Sequence, residues 1–162
     1  GVFQQPVKQC SALLLTAYQL AKREDLVTAK NPDAKPVPPP NHHKEVFSRC
    51  ISLADTALAE HLSYILACLQ IHHSRISELI ESQKPNSHRI TISQNLITYI
   101  FRLGELQALI NNTFNYARGE EDFSSKVLEW NSYKTAYANL GISVNKIDGL
   151  EDFTKRNLNR KI

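Results

Sequence analysis

The sequence predicts an all-α fold, an elongated antiparallel bundle of four main helices plus a short C-terminal helix. Apolar residues recur at spacings of three and four through most of the chain, as on one face of a helix. Proline or glycine interrupts these runs near positions 31–41, 84–87, 119 and 141. With 162 residues, 42% of them hydrophobic, the chain can bury one core, so we expect a single helical-bundle domain over residues 1–162.

The first predicted helix runs from about Pro6 to Lys30. Pro6 suits a first helical turn, where its missing N–H costs no hydrogen bond. The apolar positions of this helix form one stripe: Phe3, Val7, Cys10, Leu14, Tyr18 and Ala21.

A proline-rich linker follows at residues 31–41. Its five prolines cannot continue a helix and favour an extended polyproline conformation of about 30 Å. The segment 36–39 also fits a PxxP ligand of SH3 or WW domains, a short pattern that is common by chance.

The second predicted helix is the longest, from His42, after Asn41 as N-cap, to about Lys84. At about 40 residues it would measure about 60 Å. Its stripe resembles a heptad seam, as in a coiled coil, but a second apolar set widens it. The wider stripe favours packing in a bundle of three or more helices. The main stripe is Phe47, Ile51, Ala54, Leu58, Leu62, Ile65, Leu69, His72 or His73, Ile76 and Leu79, and the second set is Val46, Cys50, Leu53, Ala57 and Leu66.

Two further main helices complete the predicted bundle. The short connection at 84–87 predicts that the third helix, from about Ser87 or Thr91 to Ala117, returns antiparallel to the second. Within it, Gly104 indicates a close approach between helices. The fourth helix should start at the acidic run 120–122, which suits the positive end of a helix dipole, and end at Gly141. A short fifth helix should follow an apparent capping box at 148–151.

No motif predicts catalysis, a metal or a cofactor. The chain lacks a glycine-rich phosphate loop, a G-x-S-x-G elbow, an HExxH and a CxxC, so it is predicted not to be an enzyme. Glu60 and Glu78 or Glu81 on the second helix could face Glu105 on the third, but a di-iron site would also need Glu-x-x-His on two helices. No apolar run is long enough for a transmembrane segment.

The cysteine count and the first residue indicate the cellular environment and the origin of the chain. Three cysteines are an odd number, which predicts buried free thiols in a reducing, cytoplasmic environment. The chain begins with Gly and contains no Met, so we expect it to be excised from a larger protein.

Two groups of side chains are candidate contact sites. One is a cluster at the tip of the second and third helices that could meet an anionic partner: His72, His73, Arg75, Lys84, His88 and Arg89. The other is an aromatic set on the fourth helix that could anchor a partner protein: Trp130, Tyr133 and Tyr137.

The pattern therefore predicts a non-enzymatic adaptor or scaffold module. Its partner would be a helix or short motif of another protein in an inter-helix groove, or a second copy in an oligomer. The alternative is a bundle that binds a membrane surface or nucleic acid through the basic tip. The net charge of +3 supports this alternative only weakly, because the charges are dispersed.

Overall fold

A computed structural model describes residues 41–87, 93–158 and 160. All regular secondary structure in these ranges is helical, which confirms the predicted class. The first predicted helix, residues 31–40 of the linker and residues 88–92 lie outside them. None of the described helices combines the length and apolar character that a bilayer span requires. The helices are α1 (His43–Leu53), α2 (Thr56–Gln83), α3 (Ser93–Asn111), α4 (Phe114–Ala117), α5 (Trp130–Asn139) and α6 (Leu150–Arg156), with one 3-10 turn at Val144–Lys146.

The long second helix of the prediction is broken, and this part of the prediction is wrong. Ala54 is extended, with ψ of 155°, and Asp55 becomes the N-cap of α2 by accepting a hydrogen bond from the Leu58 amide at 2.9 Å. Aspartate competes for backbone amides in this way, so it favours helix starts over helix interiors. The N-cap of α1 is His42, in a left-handed conformation, and not Asn41.

Helices α2 and α3 run antiparallel, as the short connection predicts. His61 bonds the carbonyl of Leu109 at 3.1 Å, and the Tyr64 hydroxyl bonds Glu105 at 3.0 Å. Toward the other end, the Arg75 guanidinium lies 6.0 Å from the centre of the Tyr99 ring. Along α2 the contacted residues of α3 have steadily lower numbers, so the two helices run in opposite directions.

The fourth predicted helix is much shorter than expected. Residues 120–129 are not helical, and α5 begins only at Trp130. Glu120 therefore does not lie in a first helical turn. Its carboxylate accepts hydrogen bonds from the Arg118 guanidinium at 2.7 and 2.9 Å. The predicted capping box is also absent, since Gly149 is the N-cap of α6 and makes no side-chain cap.

The core is organised around α3, which contacts α2, α5 and α6. Its side chains are almost all buried between Leu96 and Leu109. Phe101 stacks on Tyr133 of α5 with ring centres 5.4 Å apart and meets Phe153 of α6 edge-on at 5.5 Å. These ring contacts tie the C-terminal helices to the α2–α3 pair.

Gly104 allows the close approach that its position in α3 predicts. A Cβ added there would lie 2.4 Å from Cε1 of Tyr137, closer than carbon atoms can pack. The Tyr137 ring is fully buried, and its hydroxyl lies 2.8 Å from Oγ1 of Thr154. Because Thr154 Oγ1 donates to the Leu150 carbonyl, the Tyr137 hydroxyl is the donor to Thr154. The ring is thus held in place against the glycine.

Gly104→Ala is expected to destabilise the protein by about 1–2 kcal/mol in urea denaturation. Alanine stabilises a helix by about 1 kcal/mol relative to glycine. Overpacking a filled core costs about 1–3 kcal/mol, and the fixed Tyr137 ring puts the cost at this site near the upper end of that range. In a Tyr137→Leu background the ring is gone, so the same change should be neutral or stabilising. An equal cost in both backgrounds would show that Tyr137 is not the cause.

Candidate functional site

A groove of about 510 Å³ opens between the N-terminal half of α2 and the C-terminal half of α3. We call it the α2–α3 groove. Its third wall is the non-helical segment 123–128 that precedes α5, of which residues 125–128 line the groove. The volume lies in the usual range for ligand pockets, about 300–1,000 Å³. The lining residues are Ala57, Glu60, His61, Tyr64, Glu105, Leu109, Ser125, Lys126, Val127, Leu128 and Tyr133.

A buried ion pair holds the carboxylate of Glu105 in place. Arg102, one turn earlier on α3, donates to Oε2 at 2.7 Å, and Tyr64 of α2 donates to Oε1 at 3.0 Å. The two charged side chains are only 15% and 6% exposed. Both carboxylate oxygens are therefore already occupied by groups of this chain.

The hydroxyl and thiol groups around Glu105 stay neutral. Burial raises the pKa of Tyr64, and the charge of Glu105 raises it further. Burial and the same carboxylate also raise the pKa of Tyr133. Burial raises the pKa of the Cys68 thiol, one turn beyond Tyr64, to about 12. A thiol that is protonated at neutral pH is a poor nucleophile.

His61 is a second buried polar group of the groove. Burial lowers its pKa, which favours the neutral imidazole. A carbonyl can only accept a hydrogen bond, so Nε2 carries the proton and donates to the Leu109 carbonyl at 3.1 Å. The ring also packs against Phe123, with centres 4.9 Å apart. His61 thus joins α2 to α3 and to the segment that forms the third wall.

The third wall combines anchored and exposed apolar residues. Phe123 contacts His61 and also meets Tyr116 edge-on at 6.1 Å. Leu128 is buried, whereas Val127 beside it is 69% exposed. The segment is therefore held at two points and presents an apolar side chain at the mouth of the groove.

The predicted basic cluster is only partly on the surface. His72 lies in the core, 6% exposed, and neither ring nitrogen has a hydrogen-bond partner among the described residues. His73 is exposed, and Arg75 is half-buried against Tyr99. Lys84 pairs with Glu81 at 2.6 Å. His88 and Arg89 lie outside the described residues.

The predicted aromatic contact set is mostly core. Tyr133 and Tyr137 are fully buried, because the face of α5 that carries them packs on Phe101 and Gly104 of α3. Tyr133 nevertheless lines the α2–α3 groove. Trp130 is half-buried, and the Lys155 ammonium lies 5.3 Å from the centre of its ring.

Sequence reasoning missed most of the groove. It set Glu105 opposite Glu60 and Glu78 or Glu81; Glu60 and Glu105 line the groove, whereas Glu78 and Glu81 do not. It placed the more hydrophobic Leu62 and Leu69 in the core, whereas the structure buries His61 and leaves both leucines half-buried. Of the thiols predicted to be buried, Cys68 is buried and Cys50 is exposed. The spacing of His61, Tyr64 and Cys68, three and then four residues apart, already puts them on one helical face.

The described residues contain no group of three or more His, Cys, Asp or Glu side chains that could hold a metal ion. Comparison with protein-family models, curated proteins and solved structures finds no significant match to this chain.

Proposed function

We propose that this chain is a non-enzymatic binding module that takes a short peptide segment of a partner protein into the α2–α3 groove. The observation that carries the proposal is the groove itself, with a volume that suits a few side chains and walls from three separate elements. Grooves between helices are a common way to bind short segments.

The polar groups of the groove hold one another in fixed positions, which supports binding. Glu105 is neutralised by Arg102, and the Nε2 proton of His61 is engaged by the Leu109 carbonyl. Groups that bond each other give the groove a fixed shape, and a preformed shape reduces the entropy lost on binding.

The chemistry of the walls indicates what a ligand should contain. Ala57, Leu109 and Val127 offer apolar contact for an aliphatic or aromatic anchor side chain. Glu60 and Lys126 are exposed at the same groove and carry opposite charges. We therefore expect ligands to combine one apolar anchor with flanking polar residues, and not to carry a run of one charge.

Ala57→Trp is expected to weaken binding of peptides selected from a random library on the immobilised protein by about tenfold or more. Ala57 is an exposed groove residue, so a tryptophan there would fill the cavity without disturbing the core. The control is Ala67→Trp, an equally exposed site on α2 that does not line the groove. Affinities would be measured by fluorescence polarisation.

Two outcomes would contradict this proposal. One is that no peptide is enriched over a blocked surface. The other is that the selected peptides bind the Ala57→Trp and Ala67→Trp proteins equally well, which would place them elsewhere on the molecule.

A further inference from the structure

Helix α1 carries exposed apolar residues beyond the face that packs against the core. Phe47 is buried and Ile51 half-buried on the face that packs against the core. On another face, Val46 is 54% exposed, Leu53 is 80% exposed and Cys50 is exposed. We call these three residues the α1 outer stripe. Their spacing of four and three places them on one side of the helix, roughly 110° around from Phe47 and Ile51 at about 100° per residue.

Contiguous exposed apolar residues usually mark a contact surface. The rest of the α1 surface is polar, since Lys44, Glu45, Ser48, Arg49 and Ser52 separate the two apolar faces on one side. On the other side Cys50 lies only about 60° from Phe47 at about 100° per residue. The outer stripe therefore adjoins the core-facing side and extends the apolar arc of α1 beyond it. Within the described residues nothing buries it.

The chain contains a segment suited to cover it. Forty residues precede Asn41 outside the described part of the chain, and residues 6–30 carry the apolar stripe that includes Val7, Cys10 and Leu14. The positions opposite that stripe are mixed, with polar Gln5, Gln9, Thr16, Gln19 and Arg23 beside apolar Ala12, Leu20 and Val27. The apolar stripe of such a helix needs a surface to bury it, because helix stability comes mainly from such packing.

The linker between this segment and α1 permits the contact. Residues 31–41 can span about 30 Å, whereas α1 has 11 residues and measures about 16 Å. The preceding segment can therefore return alongside α1. A short tether raises the effective concentration of the tethered segment to about the millimolar range. A second copy of the chain at micromolar concentration would compete poorly with it.

We propose that residues 6–30 dock as an amphipathic helix on the α1 outer stripe of the same chain. The contact would complete the helical domain on the side of α1 that its core face leaves open. The groove is lined by other elements, so the two proposals stand or fall separately.

Alkylation of Cys50 by N-ethylmaleimide tests this docking in the full chain. Peptide mass spectrometry separates the rate at Cys50 from those at Cys10 and Cys68. In the native protein we expect Cys50 to react about tenfold or more slowly than in the urea-unfolded chain. Leu14→Asp, in the apolar stripe of residues 6–30, should restore fast reaction. Thr16→Asp, on the opposite face, should not.

Cys68 is the internal control, because it is buried in the core and must stay protected in every variant that remains folded. If Leu14→Asp exposes Cys68 as well, Val46→Asp replaces it. Val46 is exposed, so this change spares the core, and it should accelerate alkylation of Cys10 without exposing Cys68.

Three results would overturn the proposal. The first is that Cys50 reacts in the native chain as fast as in the unfolded one. The second is that both Leu14→Asp and Val46→Asp leave every alkylation rate unchanged. The third is that protection of Cys50 disappears on dilution in step with a dimer-to-monomer change in light scattering, which would assign the stripe to a second copy.

Discussion

Glu105→Gln is expected to lower the free energy of unfolding by about 2–4 kcal/mol, the largest effect of any single substitution considered for this protein. Glutamine keeps the shape of the side chain and an oxygen for the Tyr64 hydroxyl, but it places an NH2 donor where the carboxylate oxygen accepts from Arg102. The change therefore removes the negative charge and the Arg102 hydrogen bond together. The Arg102 guanidinium, 15% exposed, would then lack its counter-ion. The guanidinium still donates to the Arg160 carbonyl at 3.1 Å, but a largely buried cation without its counter-ion is costly. Urea denaturation should therefore show a lower midpoint at neutral pH.

Two comparisons separate the buried charge from other effects. Glu151→Gln removes one half of the exposed Glu151–Lys155 pair, whose members are four residues apart on α6. This change should cost about 0.3–0.5 kcal/mol. The double change Arg102→Met with Glu105→Leu removes both charges and should recover most of the loss, because apolar pairs often replace buried ion pairs without penalty. A cost for Glu105→Gln no larger than that for Glu151→Gln would contradict the account.

The helical class could be predicted because it depends on local periodicity. Apolar spacing survives across Ala54 and Asp55, however, so the same signal hid the break between α1 and α2. The acidic run 120–122 fits a helix start, but Arg118 engages Glu120 and the chain continues without helix to Trp130. At Asp55 a capping hydrogen bond starts a new helix within the apolar pattern, whereas after Glu120 the structure shows no helix before Trp130 and no single side chain accounts for it.

The groove could not be predicted because its geometry depends on contacts between distant parts of the chain. His61 and Leu109 are 48 residues apart, and Tyr64 and Glu105 are 41 apart. The role of Gly104 could be predicted in part. A glycine inside an apolar helix indicates a close approach, but only the tertiary structure identifies Tyr137 as the side chain that needs the space.

Stability is expected to fall as the pH is lowered from about 6.5 toward 4, and His72 should contribute about 2–3 kcal/mol of that loss. Burial lowers the pKa of His72 from 6.5 to about 4, with smaller contributions from the charges of Arg75 and His73. Between these values the unfolded chain binds a proton that the folded chain does not. Acid therefore favours unfolding, and the stability contribution of neutral His72 is fully present only above about pH 6.5.

His72→Leu isolates this contribution from the general effect of acid on the other titratable groups. Leucine fills similar space and leaves no buried nitrogen without a partner, so the variant should equal or exceed the wild type in stability at pH 7. Its advantage should then widen steadily as urea denaturation is repeated from pH 6.5 to pH 4. His73→Leu changes the exposed neighbour and should follow the wild-type curve closely. Parallel curves for wild type and His72→Leu would mean that His72 gains a proton in the folded state as readily as in the unfolded one.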